Sequence, residues 1–123
     1  MVTIQATTIG GSIIDKARWE VPSINSVQVG HTLSICLNSD DKNLLTHIRK
    51  QEKTECSQDR AEDGKYTIVV TLVVKQVRHM LDASKFDTMC IVVPMSRHVE
   101  QVILYLLDPS QCDKRFAGIV RQG

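Results

Sequence analysis

The stretch Lys65–Lys75, KYTIVVTLVVK, constrains the fold more than any other part of the chain. Every second residue, Tyr66, Ile68, Val70, Leu72 and Val74, is large and apolar. Between them stand Lys65, Thr67, Val69, Thr71, Val73 and Lys75, which are smaller or polar. Successive side chains of a strand point to opposite faces, so this run predicts a strand with one greasy face and one mixed face. Such a strand belongs in the middle of an antiparallel sheet, with a core on one side only. The greasy face needs a cover, and the mixed face needs a different neighbour.

The cover is predicted near the C-terminus. Ser96 is placed to cap a helix. After it Val99, Val102, Ile103, Leu106 and Leu107 recur at helical spacing and form one apolar stripe. Pro109 ends that helix, and Asp113–Arg121 can form a second, shorter one carrying Phe116, Ile119 and Val120. Upstream, the pattern reads as strands. Val2–Thr8 and Ser12–Val21 form a hairpin around Gly10-Gly11, since adjacent glycines accept the positive φ of tight turns. Pro22-Ser23 breaks the ladder. Val27–Leu37 is a third strand and Asn38–Asp41 a turn built of residues that bond their own backbone. Leu44–Lys53 is expected to be a fourth strand, with Leu44, Thr46 and Ile48 on one parity. The connection Glu52–Gly64 carries five acidic and two basic residues and reads as solvated. Gln76–Lys85 holds a short strand or bend and a turn at Asp82-Ala83-Ser84. Phe86–Val93 is the last strand, and Pro94 stops it.

Strands followed by helices argue an α+β fold: an N-terminal hairpin (1–21), an antiparallel meander (27–94), and two helices (96–121) packed on one face. The 123 residues make one domain, large enough for its own core. With 15 basic and 14 acidic residues there is no global electrostatic footprint for nucleic acid, although a local basic patch is compatible with that balance. The N-terminus alternates instead of presenting an apolar block, so no signal peptide is expected. No apolar run reaches the roughly 18 residues of a membrane span. The four cysteines, Cys36, Cys56, Cys90 and Cys112, show no C-x-x-C spacing, and no metal or cofactor site is predicted. Cys36 and Cys90 read as small buried hydrophobes inside strands. Cys56, in a polar loop, reads as the reactive one, open to a disulfide between subunits.

Catalytic motifs are scarce. Cys90 and His98 form a nominal nucleophile and base, but a core cysteine and a surface histidine in a first helical turn account for them better. His98-x-Glu100 matches half of a zinc deaminase signature, and the P-C-x-x-C half is missing. Asp40-Asp41 and Glu62-Asp63 are loop carboxylates. No glycine-rich phosphate loop occurs, and no enzymatic activity is predicted.

In length and element order the chain resembles the coat proteins of single-stranded RNA bacteriophages, the leviviruses. The resemblance spans nearly the whole chain: the hairpin at Gly10-Gly11, the paired runs LLTHIRK and KYTIVVTLV, and FDTMCIVVP leading into an apolar helix and a second short one. Its most specific pieces are Lys65–Ile68 and Met89–Pro94. The resemblance implies an obligate homodimer with one continuous sheet, helices on the outer face interlocking with the partner, and an icosahedral shell. It implies that the inner face of the sheet binds single-stranded genomic RNA, including a hairpin that acts as a translational operator. The location implied is the virion, assembled in the cytoplasm of a bacterial host.

On this resemblance Arg49 and Lys65 match basic RNA-face positions, Phe86 matches an aromatic that stacks on an unpaired base, and His47, Thr67 and Thr88 match polar contacts. Without it, ordinary solvated charges and a core aromatic describe the same residues. Val69 stands where the family often has lysine, and Cys90 where a polar residue would serve recognition. The helix-facing set is expected to be Ile68, Val70, Leu72 and Val74 with Leu44, Thr46, Ile48, Met89, Ile91 and Val93. The helix stripe Val99, Val102, Ile103, Leu106 and Leu107 is expected to cover it and to serve the dimer. Two other classes fit the same pattern: a small non-viral nucleic-acid-binding α+β module, and a small α+β ligand-binding domain or enzyme with a pocket between sheet and helix.

Overall fold

The chain folds as α+β, with a curled mixed sheet under three helices. The computed structural model describes residues 1–22, 27–51, 55–60, 65–82 and 85–122, the side chains of 59, 60, 82, 85 and 86 excepted. The strands are β1 (Val2–Thr7), β2 (Ile13–Val21), β3 (Thr32–Ser39), β4 (Cys56–Arg60), β5 (Tyr66–Asp82) and β6 (Lys85–Pro94). The helices are α1 (Lys42–Gln51), α2 (Arg97–Leu107) and α3 (Lys114–Arg121), with a 3-10 turn at Pro109–Gln111.

β5 is the longest element and the hub of the sheet. Strand order is β2-β1-β6-β5-β3, and β4 pairs with the first part of β5 on the side that β6 occupies further along. Ile68, Val70, Leu72 and Val74 are at most 1% exposed, so the greasy parity lies in the core as expected. A register shift between Val74 and Gln76 then inverts the strand. Beyond it Val77 pairs with Cys90 and His79 with Thr88, on the core side.

The sequence expectations need correction at several points. The meander is interrupted, because β1 runs parallel to β6 (Ile4 opposite Cys90, Ala6 opposite Val92) and joins the hairpin to the sheet. The strand expected over Leu44–Lys53 is helical as far as Gln51, and residues 52 and 53 lie outside the described residues. Its apolar residues Leu44, Leu45 and Ile48 fall on one helical face and are buried. Asp41 caps this helix: its Oδ1 accepts from the amides of Asn43 (3.0 Å) and Leu44 (3.2 Å). On β6 the core parity is the opposite of the expected one. Leu72 faces Pro94 and Val74 faces Val92, so Cys90 and Val92 point into the core, while Met89, Ile91 and Val93 are half-buried on the other face. Side-chain size misleads there because both parities are apolar, and pairing with β5 decides. The predicted loop around Cys56 contains β4. The bend expected within Gln76–Lys85 is the continuation of β5, and Ala83 and Ser84 of the predicted turn lie outside the described residues.

The helices pack on their own chain's sheet. In α2, Val99, Val102, Ile103 and Leu104 are at most 1% exposed, whereas Leu106 and Leu107 are half-buried. Ser96 caps the helix as expected, its Oγ accepting from the Val99 amide at 3.3 Å. Two buried carboxylates tie this layer to the hairpin. Glu100 Oε2 accepts from the Ile9 amide at 2.8 Å. Asp108 accepts from the Asp15 amide (3.0 Å), Ser110 Oγ (2.7 Å) and Gln111 Nε2 (2.6 Å). These three donors hold the Asp108 carboxyl below its ordinary value, the Ser110 hydroxyl most strongly. At the hairpin turn Gly11 takes φ +98°, a conformation that favours glycine.

Candidate functional site

With the helices on one side, the other face of the sheet is left open among the described residues. Register defines it row by row. At one end Glu20, Thr3, Met89 and Arg78 align across β2, β1, β6 and β5. The next row is Arg18, Gln5, Ile91 and Gln76. Then come Val93, Val73 and Thr32, then Thr71 with Ser34, then Ser57, Val69 and Cys36, and finally Thr67 with Asn38. Along β5 this face is made of the methyl and hydroxyl groups of Thr67, Val69, Thr71 and Val73, and Lys75 stands exposed at the irregularity between the Val73 and Gln76 rows. Thr67, Val69, Thr71, Val73, Met89, Ile91 and Val93 are all half-buried. Arg18 and Arg78 stand exposed at one end, and Lys65 is exposed just before β5 at the other.

The Arg18–Arg78 end bears a hollow of about 560 Å³ whose lining includes Arg18, Glu20, Met80, Asp87 and Met89. Gln5 closes the row beside it. Its Nε2 donates to the carbonyls of Ala6 (2.9 Å), Ala17 (3.2 Å) and Ile14 (3.4 Å), filling the irregular segment of β2 where Lys16 adopts φ +63°.

The residues predicted to contact RNA do not share one face. Thr67 is on the open face, where its Oγ1 donates to Asn38 Oδ1 at 3.3 Å. Lys65 borders that face. Arg49 and His47 are carried by α1, on the helix side: Arg49 is exposed, and His47 packs into an aromatic group. Thr88 points to the helix side, 3.1 Å from His79 Nδ1 through its hydroxyl. Phe86 is the register partner of Leu81 near the tip of the β5–β6 hairpin, and its side chain is outside the described set. Arg18 and Arg78 were not singled out from sequence. Arg78 sits beyond the irregularity of β5, which moves it onto the open face, and no short motif marks that shift.

The histidine placement has its own consequence. His47 on α1, His98 on α2 and Phe116 on α3 form a three-ring group, with centroids 5.5 Å (His47–His98), 5.1 Å (His47–Phe116) and 6.1 Å (His98–Phe116) apart. Burial, and then the charge of Lys50, push the His47 pKa down. Beside this group Tyr105 Oη donates to Asp41 Oδ2 at 2.6 Å, and burial together with that bond raises the tyrosine pKa.

Cysteine chemistry is redistributed. Cys36 is exposed on β3, against expectation, because its parity is that of the open face. Cys56 is buried within β4. Burial, aided by Glu55, pushes its thiol up to about 11, so it is neither in a loop nor poised to react. Cys90 is buried as expected, and burial raises its thiol as well. It lines a hollow of about 330 Å³ with Val77, His79 and Thr88, whereas His98 belongs to the helix layer with Gln101 and Phe116. The nominal pair Cys90 and His98 thus falls in separate neighbourhoods. Among the described residues no group of three or more His, Cys, Asp or Glu is arranged to hold a metal, and no helix is long and apolar enough to cross a membrane. Comparison with protein-family models, with curated proteins and with solved structures finds no match to this chain.

Proposed function

We propose that this chain is a structural subunit that associates with itself and binds single-stranded RNA on the open face of its sheet, as a coat protein of the levivirus type would. One observation carries the reading: one face of the sheet carries the helices, and the other is uncovered among the described residues, half-apolar along Thr67–Val73 and Met89–Val93, with Lys75 exposed at the irregularity of β5, Arg18 and Arg78 beside Glu20 and Asp87 at one end, and Lys65 at the other. Half-buried valine, isoleucine and methionine in a face without a cover are a surface that a partner completes. Hydroxyl and methyl groups suit contact with unpaired bases, and arginine at the border suits phosphate. The resemblance in the N-terminal hairpin and in the last strand running into two helices supplies the viral part of this reading, while LLTHIRK, one of the runs that carried it, is helical; the building block proposed is an obligate dimer and the product a shell. The mechanism is mass action among many weak contacts, with no bond made or broken.

The RNA surface proposed is that of Arg18, Arg78, Lys65 and Thr67, in place of a set including His47, Arg49 and Thr88. Expression of the chain alone in bacteria, with electron microscopy and absorbance at 260 and 280 nm, tests the proposal. Uniform shells with a nucleic-acid spectrum are expected. A dimer that carries RNA but never assembles would favour a non-viral RNA-binding module, and a monomer free of nucleic acid would remove both readings.

A further inference from the structure

We propose that β3 is the edge through which two copies of this chain join into one sheet. The inference rests on the self-association in the proposed function and adds the strand, the register and the symmetry. It comes from a difference between β2 and β3, the strands at the two ends of the main path; the third outer strand, β4, is short, has Asp59 and Arg60 in its sequence and lies beside α1. Exposed strand edges invite pairing with other chains, and proteins blunt them with charges, kinks or covering elements. β2 is blunted in all three ways. It carries Asp15, Lys16, Arg18 and Glu20, it kinks at Lys16 with φ +63°, and its backbone is already engaged from outside. The Asp15 amide donates to Asp108, and the Ile13 carbonyl accepts from Gln111 Nε2 at 2.9 Å.

Among the described residues β3 shows none of these defences. Its eight residues, TLSICLNS, include no charge, proline or glycine. Its pairing with β5 runs without a shift from Thr32 to Ser39, and among the described residues β3 pairs with no other strand. Thr32, Ser34, Cys36 and Asn38 are exposed on the open face, and Leu33 and Ile35 remain half-exposed on the helix side. The edge is therefore long, straight, neutral and still partly apolar.

A second copy is the occupant that fits. A two-fold axis normal to the sheet runs the two β3 strands antiparallel and keeps both helix layers on the same side. Facing residues must then share a parity, which places the axis on a residue and not between two. Centred on Ile35, it sets Ile35 against its copy, Leu33 against Leu37 and Ser34 against Cys36. Every apolar residue meets an apolar one, and no like charges face each other. The two open faces then become one continuous surface, with an Arg18–Arg78 border at each far end. In this register the two Cys36 side chains are diagonal neighbours, about 7–8 Å apart.

The test combines crosslinking with a charge placed in the seam. A short bismaleimide, applied to the chain with Cys112→Ser or to its particles, should yield a covalent dimer that disappears with Cys36→Ser, while that variant stays dimeric by light scattering. Ser34→Lys, at an exposed site, should raise the dimer dissociation constant by about tenfold or more, since a lysine on an edge opposes pairing. Ile13→Lys, on the blunted edge, should leave it unchanged. If Ser34→Lys fails to fold by circular dichroism, the crosslink decides alone. A dimer that neither crosslinks through Cys36 nor responds to a folded Ser34→Lys overturns the β3 seam and leaves the coat reading standing on another interface. A chain that is monomeric at all concentrations overturns both.

Discussion

The two faces of β5 come from one run of alternating residues, yet they do different work. Val74 is 1% exposed beneath the helices, while Val73, the next residue, is half-buried on the open side. Both are valine, and the local propensity of the chain is the same at both. The difference is made by what the rest of the chain brings to each face: three helices to one and nothing described to the other. A sheet that packs helices on one face and leaves the other half-apolar divides its residues into those that hold the fold and those free to serve a partner.

The sharpest way to break this division is one substitution made on both faces. Val74→Thr puts a hydroxyl with no water and no prepared partner into the core, and should cost about 1–3 kcal/mol by urea unfolding. Val73→Thr should stay within about 0.5 kcal/mol, because the hydroxyl there can reach water. Equal losses at the two sites would mean that the open face is packed as tightly as the covered one, and the proposed RNA surface would be lost.

Binding should divide the other way. Arg78→Ala and Arg18→Ala should each weaken single-stranded RNA and reduce the slope of log K against log salt by about 0.7, with unchanged unfolding midpoints. Arg49→Ala, on α1 and so on the covered side, should change neither. A salt slope that falls only with Arg49→Ala would relocate the RNA to the helix layer.

Much of this division is legible in the sequence, and the failures have physical causes. The parity of Tyr66–Val74, the cap at Ser96 and the stripe of α2 are local signals that tertiary structure reinforces. The segment of α1 reads as a strand because Leu44, Thr46 and Ile48 satisfy alternation, while Leu44, Leu45 and Ile48 satisfy a helix equally well. Asp41, immediately before Lys42, with Arg49 and Lys50 at the far end of the run, is the better sign, a cap at one end and cations at the other. The face of β6 could not be taken from side-chain size. It follows from register, and from the irregularity after Val74, which no local residue announces. The RNA candidates inherited both errors: His47 and Arg49 moved with the helix, and Thr88 moved with the register.

Acid should act at Asp108, on the covered side. Asp108 joins the α2–α3 connection to β2, and its carboxyl is held below the ordinary value by Ser110, Asp15 and Gln111. A group whose folded pKa is lowered contributes stability that is full above its unfolded pKa and is lost as pH falls through the folded one. Unfolding midpoints should therefore drop below about pH 4, and Asp108→Asn should flatten that drop. An unaltered acid limb in the variant would mean that the carboxylate does not hold the hairpin.

The smallest effect is expected at His47, and it falls in a different window. Burial and Lys50 favour its neutral form in the fold, so the folded pKa lies below the ordinary histidine value of about 6.5. Folding is then favoured fully above about pH 6.5, and stability declines as pH falls from there towards the folded pKa. Protonation would set a charge beside Lys50 and against the rings of His98 and Phe116, where α1 meets the other two helices. Proton exchange between histidine ring and water is fast, so the decline should be reversible. His47→Gln should remove the decline in the unfolding midpoint that sets in below about pH 6.5, while leaving the Asp108 limb in place. RNA affinity on the open face, measured across the same interval, should not follow His47. If it did, the helix layer and the open face would be coupled through the sheet, and the separation of the two faces would fail at the one point where both titration and binding can see it.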